Sequence, residues 1–337
     1  MTLSILCIGS LSRDVFLPYE NIAILDTPED TLAKQKMLFE VGAKYRAKDR
    51  YDAPGGCAAN VSQGLARLGV DASLFANVGN DHLGETLLEE VRGEGVDTSP
   101  VCRVDGKKTD LGIIVVDKET GERTIFYNRD ANESFSFPPE VFTEKGAVFV
   151  SGLYGDWRAN IRDVARLAGE NDCTLFYNPS ASNIEDDAEC VWEVAKKCEG
   201  VFLNKDEAME LLLRLHERNV LGGDFDKHRV EDEKYLATFL GAHLGVKFAV
   251  ITDGARGAWA YDRSRDAVHF RSGHSVERVA DATGAGDAFT SGFLASFLLG
   301  HSIETSLAWG IANATNVIRF YGAKEGLLRK DAMEGAA

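Results

Sequence analysis

The sequence predicts an α/β fold in which helices cover both faces of a mostly parallel β-sheet. Short apolar runs of strand length alternate with longer amphipathic segments through most of the 337 residues. This alternation is typical of parallel sheets, whose strands are connected by helices. Hydrophobic residues make up 45% of the chain, which is enough for a large core. Because there is no internal repeat, low-complexity segment or linker, we expect a single domain over residues 1–337.

The predicted strands and helices follow one another in a regular order. Leu3–Ile8 is a short apolar run that ends at Gly9, as a buried strand would. Cys57–Leu68 has helical spacing and stops at Gly69, and Ser73–Val78 is again strand-like. Later strands are predicted at 147–150, 174–177, 201–203 and 247–251, and helices at 83–92, 161–168, 190–198, 206–216, 234–244, 285–299 and 303–320. We expect the ligand site beyond the carboxyl ends of these strands.

Two segments interrupt the alternation and predict a small β lid at about 14–52 and 105–130. Leu111–Asp117 and Arg123–Asn128 are strand-like, and the turn-forming residues between them predict a hairpin. The segment 14–52 is longer and more polar than a simple connection from a strand to a helix. Four basic residues alternate along it and would share one face of a strand, although a solvated surface is the alternative: Lys44, Arg46, Lys48 and Arg50.

Composition argues against several classes of protein. With 37 basic and 53 acidic residues, the chain has a net charge of −16, so we expect neither a nucleic-acid nor a membrane partner. Six scattered cysteines without a C-x-x-C pair predict free thiols in a reducing cytoplasm. The apolar start, Met1 to Leu11, lacks the basic lead and the cleavage site of a signal peptide. The seven histidines show no zinc-ligand spacing.

The most informative segment is Asp281–Asp287, which reads DATGAGD and runs directly into a predicted helix. A glycine-rich turn at the start of a helix directs several N–H groups and the positive end of the helix dipole at one point, which suits a phosphate. A carboxylate beside that point suits removal of a proton from an attacking hydroxyl. Ordinary helix capping is the alternative, but it does not need the polar groups of Asp281 and Thr283. The spacing matches neither a Walker A loop nor a dinucleotide fingerprint.

This segment resembles the second signature of the ribokinase-like (PfkB) family of sugar and nucleoside kinases. The first signature of that family is matched by Pro54–Asn60, which reads PGGCAAN and leads into the helical segment Val61–Gly69. Two signatures in the expected order are far more specific than either one, and the resemblance extends over nearly the whole chain. It implies a ribokinase-like three-layer sandwich with a small β lid, and an ATP-dependent kinase that uses Mg²⁺.

The resemblance gives the second signature its roles. Asp287 would be the general base that takes the proton from the acceptor hydroxyl. Gly284, Ala285 and Gly286 would supply the amides of the anion hole. Asp281 and Thr283 match positions that help bind a monovalent cation, mostly through carbonyl groups, in potassium-activated members. K⁺ is therefore an expected cofactor.

Other segments resemble the nucleotide side of the family. Asn204 and Glu207 match an N-x-x-E motif that could order the waters of Mg²⁺, and a helix capping box is the alternative. Thr252 and Gly254 would contact phosphate or ribose, and Gly257 would allow the turn.

Two asparagines complete the predicted ATP site. Asn178 ends a predicted strand and matches a position that contacts nucleotide phosphate. Asn313 lies on the last long helix near where the family holds adenine, although an ordinary polar helix residue is nearly as good an interpretation.

The acceptor side follows from the first strand and the first signature. By resemblance, Asp14 would bind two hydroxyls of a sugar. Gly55 and Gly56 would let the sugar approach the backbone, and Asn60 can both donate and accept. Ser12 stands where ribokinases proper often carry Asn. Arg129 follows the lid hairpin, in a loop similar to one that contacts the far side of the sugar in several subfamilies.

These assignments predict ATP-dependent phosphorylation of a primary hydroxyl on a small sugar, fructose- or ribose-like. A nucleoside kinase of adenosine type is the alternative on the same fold. A phosphosugar kinase is less favoured because the first signature lacks a basic residue, although the basic lid segment would serve one. A non-catalytic sugar or nucleotide sensor is the alternative from another class, and the intact Asp287 counts against it. The resemblance also allows a homodimer through the lid.

Overall fold

The computed structural model describes residues 4–27 and 35–333. Leu3 of the predicted first strand, residues 28–34 of the predicted lid, and both ends of the predicted domain at 1–3 and 334–337 lie outside the described residues. In chain order, the strands are β1 (Ser4–Ile8), β2 (Ser12–Tyr19), β3 (Ala23–Asp26), β4 (Gln35–Leu38), β5 (Tyr51–Gly55), β6 (Asp71–Phe75), β7 (Asn77–Gly79), β8 (Cys102–Val104), β9 (Asp110–Asp117), β10 (Arg123–Asn128), β11 (Ala147–Ser151), β12 (Thr174–Asn178), β13 (Gly200–Asn204), β14 (Phe248–Thr252), β15 (Ala258–Asp262) and β16 (Ala267–Arg271). The helices are α1 (Cys57–Arg67), α2 (His82–Gly93), α3 (Trp157–Glu170), α4 (Ala181–Ala195), α5 (Lys205–Glu217), α6 (Glu233–Leu244), α7 (Ala285–Leu298), α8 (Ile303–Val317) and α9 (Lys330–Met333).

Eight strands form the central sheet, in the order β16-β15-β14-β13-β12-β11-β1-β6. Every neighbouring pair from β6 to β14 is parallel, whereas β15 and β16 add an antiparallel extension at one edge. The predicted, mostly parallel sheet is therefore confirmed.

Helices cover both faces of this sheet, and the side chains of β1 show how the two cores divide. Ile5 and Cys7 are buried with residues of α1, α2, α7 and α8. Leu6 and Ile8 are buried with residues of α3, α4, α5 and α6. Successive side chains of a strand point to opposite faces, so a continuous apolar run such as SILCI serves both layers at once. The result is the three-layer sandwich expected from the sequence.

A second sheet, in the order β10-β9-β2-β5, forms the lid. Strands β9 and β10 pair as the antiparallel hairpin that the sequence predicts. The chain leaves the central sheet after β1 and enters the lid sheet as β2. Strand β2 pairs with β9 in parallel and with β5 in antiparallel orientation. Four basic residues of the lid segment are exposed and lie outside any strand: Lys44, Arg46, Lys48 and Arg50. A shared basic face was expected only for a strand, so the structure does not form it.

Local hydrogen bonds explain where the elements differ from the predictions. The predicted strand 73–78 is divided into β6 and β7. At the start of β7, the Asn77 side chain donates to the carbonyls of Ala131 and Ser134. Helix α4 begins at Ala181, well before the predicted start, because the Ser180 hydroxyl caps it. No helix within the described residues is long and apolar enough to cross a membrane.

Candidate active site

Polar residues terminate the parallel strands along one edge of the central sheet. Strands β11 and β12 end at Ser151 and Asn178, which are paired in register. Strands β13 and β14 end at Asn204 and Thr252, which are also paired. The fold therefore places the predicted nucleotide residues side by side at the carboxyl ends of the strands, where α/β sheets bind ligands.

The turn before α7 brings free backbone amides to the same edge. Gly284 is the residue before the helix, with a φ of 75°, and a Cβ there would lie 2.2 Å from the Cβ of Ala323. The Ala285 amide donates to the Ala282 carbonyl, which removes it from the predicted anion hole. Within the described residues, the amides of Gly284, Gly286 and Asp287 have no acceptor. These three amides are the first, unsatisfied N–H groups of a helix and can bind an anion.

Asp287 lies in the first turn of α7 and is nearly buried. Its Oδ2 accepts a hydrogen bond of 2.8 Å from Nδ2 of Asn60, on the helix that carries the first signature. Burial raises the pKa of Asp287 to about 6, and the charge of Asp14 adds to this, whereas the hydrogen bonds from Asn60 and Cys57 oppose it. At neutral pH the group is a carboxylate of raised basicity, which suits a general base.

Asp14 lies on two glycines of the lid sheet. A Cβ at Gly55 would lie 2.0 Å from Oδ2 of Asp14, and one at Gly112 would lie 2.7 Å from Oδ1. The Ser12 hydroxyl donates to Oδ1 over 3.0 Å. Burial raises the pKa of Asp14 to about 6, against the hydrogen bond from Ser12. Gly55 therefore makes room for the carboxylate itself, which is a different use from the predicted approach of the sugar to the backbone.

A cavity of about 330 Å³ joins these groups between the lid and the central sheet. Eight of the predicted residues line it: Ser12, Asp14, Gly56, Asn60, Arg129, Thr283, Gly284 and Asp287. The predictions missed further lining residues, among them Cys57, Asp110, Gly112, Ile125, Tyr127 and Tyr154. Apart from Cys57, which lies inside the first signature, no motif marks them, because they come from the lid strands β9 and β10 and from the connection after β11.

The residues predicted to contact the nucleotide do not line this cavity. Gly257 has a φ of 118°, and a Cβ there would lie 2.1 Å from the Arg271 carbonyl oxygen, so the turn from β14 to β15 requires glycine. Gly254 also has a positive φ, of 47°, and a Cβ there would contact nothing. The Asn178 side chain donates to the Phe202 carbonyl.

Asn204 and Glu207 form the capping box that was the alternative to a metal site. The Asn204 side chain accepts from the Glu207 amide, and the Glu207 carboxylate accepts from the Asn204 amide. Burial raises the pKa of Glu207 to about 7, and the charges of Asp206 and Asp287 add to this. Because the charge of Asp287 contributes to the raised pKa of Glu207, a cation near Glu207 would favour its charged form, so this residue fits Mg²⁺ held through water.

Asn313 does not have the geometry of an adenine-binding residue. It is fully buried between α7 and α8. Its amide donates to the Ala288 carbonyl and the Ser291 hydroxyl, and its oxygen accepts from the Leu328 amide. These bonds correct the predicted adenine contact, because they use the polar groups of the side chain to cross-link the helices.

Asp281 is fully buried and stabilises the turn. Its Oδ1 accepts from the Thr283 amide and hydroxyl over 2.9 and 2.7 Å, and its Oδ2 accepts from the Gly322 amide. The carbonyl groups of this turn remain the candidate ligands for a monovalent cation. Within the described residues, no group of three or more His, Cys, Asp or Glu side chains could by itself hold a metal ion.

An ionic network that the sequence did not suggest supports the nucleotide loop. Lys205 and Arg256 both contact the Glu233 carboxylate at the start of α6, at 2.9 and 2.8 Å. Arg256 also pairs with Asp253 inside the loop. The network attaches the loop 252–257 to two helices, which restrains the backbone that would face the nucleotide.

Comparisons with known proteins agree with this geometry. The family model described as pfkB family carbohydrate kinase matches residues 3–330. An ATP-dependent ribose-1-phosphate kinase of Halopiger xanaduensis is 28% identical over 86% of this chain and 88% of its own length. A 5-dehydro-2-deoxygluconokinase of Halalkalibacterium halodurans is 26% identical over 81% and 82%. The crystal structure of a putative ribokinase from Agrobacterium tumefaciens superimposes with a TM-score of 0.77 at 21% identity, covering 99% of this chain and 97% of that one.

Proposed function

Because the chain belongs to the PfkB family of carbohydrate kinases, we propose that it transfers the terminal phosphate of ATP to a primary hydroxyl of a small sugar, fructose- or ribose-like. One observation carries this proposal. The Asp287 carboxylate, held at 2.8 Å by Asn60, shares a cavity with the Asp14 carboxylate and with the start of α7. One carboxylate that can bind a polyol, one that can act as a base, and free amides that can bind a phosphate therefore lie around one cavity.

The acceptor binds through groups that the fold holds in place. Asp14 accepts from two neighbouring hydroxyls while Ser12 fixes its orientation. The Asn60 amide oxygen is buried without a hydrogen-bond partner within the described residues, and it accepts from a third hydroxyl. Asp287 then takes the proton of the attacking hydroxyl.

The start of α7 stabilises the charge on the transferred phosphate. The amides of Gly284, Gly286 and Asp287 donate to its oxygens, and the helix dipole adds to their effect. Loss of one such donor typically costs on the order of a hundredfold in rate. On the nucleotide side, Asn178, Asn204, Thr252 and Gly254 contact ATP, and Gly257 shapes the loop.

Two cations complete the proposal. Glu207 holds Mg²⁺ through water, and the carbonyl groups of Asp281 and Thr283 hold K⁺. When bound, Mg²⁺ neutralises charge on the phosphates. The buried Asp281 side chain keeps the turn in one conformation through its three hydrogen bonds. The protein would act in the cytoplasm, which its six free thiols support.

A nucleoside kinase of adenosine type remains the alternative, and a non-catalytic sensor is the alternative from another class. The curated relatives named above are called kinases of sugar derivatives, which favours a sugar. The intact base Asp287 favours catalysis over sensing.

An ATP-consumption screen tests the proposal. Free sugars, sugar acids, sugar phosphates and nucleosides are offered with Mg²⁺, with and without K⁺. We expect turnover with a sugar or sugar derivative, stimulation by K⁺, and a loss of at least a thousandfold in kcat for Asp287→Asn with ATP binding retained. Normal turnover in this variant would exclude Asp287 as the base, and ATP consumption with nucleosides alone would exclude a sugar acceptor.

A further inference from the structure

Arg129 contacts two tyrosine rings at the wall of the cavity. Its guanidinium carbon lies 3.6 Å from the centroid of the Tyr154 ring and 4.1 Å from that of the Tyr127 ring. Tyr127 belongs to strand β10 of the lid, and Tyr154 follows β11 of the central sheet. The guanidinium therefore contacts both rings, and a further ligand would bind to it through its N–H donors.

Those donors have no partner within residues 4–27 and 35–333. Arg129 makes neither a hydrogen bond nor an ion pair there, whereas Arg13 forms a two-bond pair with Glu90 and Arg67 pairs with Glu94. Asp110 also lines the cavity, but its Oδ1 accepts from the backbone amides of Asp130 and Asn132. In a chain with 53 acidic and 37 basic residues, an arginine that contacts two rings at a cavity and has no ion-pair partner indicates a ligand with negative charge.

The other charged groups of the cavity also indicate that Arg129 binds a negatively charged ligand. Asp14, Asp110 and Asp287 are carboxylates, and Arg129 is the one cation among the residues that line it. A neutral polyol needs hydrogen-bond acceptors such as Asp14, but it does not need a planar cation. The net charge of −16 opposes any anionic substrate at long range, so such a substrate requires a local cation.

We propose that the acceptor carries an anionic group, a carboxylate or a phosphate, which Arg129 binds edge-on while Tyr127 and Tyr154 fix the guanidinium plane. Both anions accept two parallel N–H···O bonds from arginine. This inference rests on the proposed kinase function and narrows its substrate class. The basic residue that the first signature lacks comes instead from the segment that follows the lid hairpin.

The test compares acceptors that differ in charge. Turnover of the wild type is measured with fructose, with fructose 6-phosphate and with 2-dehydro-3-deoxygluconate, which separates the neutral, phosphate and carboxylate cases. We expect kcat/KM for one anionic acceptor to exceed that for fructose at least tenfold. Arg129→Gln should lower kcat/KM for that acceptor roughly a hundredfold, mainly through KM, because two charge-assisted hydrogen bonds are lost. The loss for fructose should be far smaller.

Matched variants separate recognition from folding. Arg129→Lys keeps the charge without the planar fork and should recover only part of the affinity. Arg103→Gln is the control, because Arg103 is exposed on β8 and does not line the cavity. Thermal melting of each variant shows whether it folds, and calorimetric titration of Asp287→Asn protein, with and without Arg129→Gln, measures acceptor binding without turnover.

The outcomes are distinct. Equal losses for the neutral and the anionic acceptors would mean that Arg129 only connects the lid to the central sheet, and would overturn the inference. A wild type that prefers fructose would also overturn it while leaving the kinase proposal intact. Binding of an anionic acceptor that depends on Arg129, without any turnover in the wild type, would support the inference and refute the kinase proposal.

Discussion

Asn60 and Asp287 show how the two distant signatures come into contact. Asn60 donates to the Asp287 carboxylate over 2.8 Å, and its own oxygen is buried without a partner within the described residues. A hydrogen bond to the charged form of an acid lowers its pKa, whereas burial raises it. Burial prevails here, since the pKa of Asp287 is raised to about 6. Asn60 therefore limits how far the base is protonated near neutral pH.

This balance predicts a pH dependence. A base with a pKa of about 6 is protonated below that pH, so kcat/KM should fall as the pH decreases through 6. Asn60→Leu removes the donor to the carboxylate, and the pKa of Asp287 should then increase by about one unit or more. We expect the acid side of the profile to move to higher pH in this variant, measured with saturating ATP and Mg²⁺ in both proteins.

The wild type is the control for the variant, because the titration of ATP affects the pH profiles of both proteins equally. Asn60→Leu also removes a proposed contact to the acceptor, so a lower maximum rate is expected and decides nothing. An unmoved acid side of the profile would mean that Asp287 is not the group that titrates.

At the level of single residues, the signatures and the other motifs predicted eight of the seventeen residues that line the cavity, and their roles stay predictions. Asn313 was wrong as an adenine contact because the sequence does not show which polar helix residues the packing buries. Tyr154 and Asp110 were missed because no motif marks them. Cys57 was overlooked inside its own signature, where the charge of Asp287 raises the pKa of its thiol well above the usual range.

The lid hairpin contributes Ile125, Tyr127 and Asn128 to the wall of the cavity. Strand β10 lies at the edge of the lid sheet, and its side chains alternate between two faces. Ile125 lines the cavity and is 46% exposed, whereas the next residue, Phe126, is 54% exposed and does not line it. The two neighbours form a matched pair for testing the lid.

We predict that Ile125→Ala raises KM for the acceptor roughly tenfold and leaves KM for ATP unchanged. The reason is that three carbon atoms no longer become buried when the acceptor binds. Phe126→Ala should change neither constant. Steady-state kinetics with each substrate varied in turn measures both effects. If the two variants raise the acceptor KM equally, or if KM for ATP rises, the hairpin does not act as a lid over the acceptor.

At the level of elements, segments bounded by turn-forming residues were predictable, whereas the start of a capped helix was not. The hairpin β9–β10 was predicted almost to its ends because strand patterns flank a turn-forming segment. Helix α4 begins earlier than its apolar pattern, because Ser180 caps it and the backbone at Asp187 has a non-helical φ of −154° inside it. Such a break in helix geometry leaves no clear periodicity to read.

For the molecule as a whole, the layered fold followed from the alternation of strands and helices. The antiparallel addition of β15 and β16 did not, because short connections rather than α-helices join β14, β15 and β16, so this segment departs from the alternation. The single domain stays a prediction, as does the homodimer through the lid.

The lid carries an exposed apolar surface that is a candidate dimer interface. Ile22, Leu38, Phe39 and Tyr45 lie around one groove at the end of the lid, and the last three are each at least 40% exposed. Two edge-to-face contacts join Tyr45 to Tyr19 and Phe39, so the aromatic part of this surface is ordered before any partner binds. A net charge of −16 works against self-association, so a dimer requires apolar burial of this kind.

We therefore predict that the protein is a dimer whose interface includes this lid surface. Sedimentation velocity at physiological salt should give twice the mass of one chain, and Phe39→Asp should shift the protein towards the monomer, because a buried carboxylate would be unpaired in the interface. Phe270→Asp is the matched control, since Phe270 is 54% exposed on β16, at the far edge of the central sheet. A wild type that sediments as a monomer at all concentrations, or a Phe39→Asp variant that remains dimeric, would place this surface outside any interface. Because Phe39 does not line the acceptor cavity, comparison of kcat in the two variants also tests whether the lid needs its partner to close.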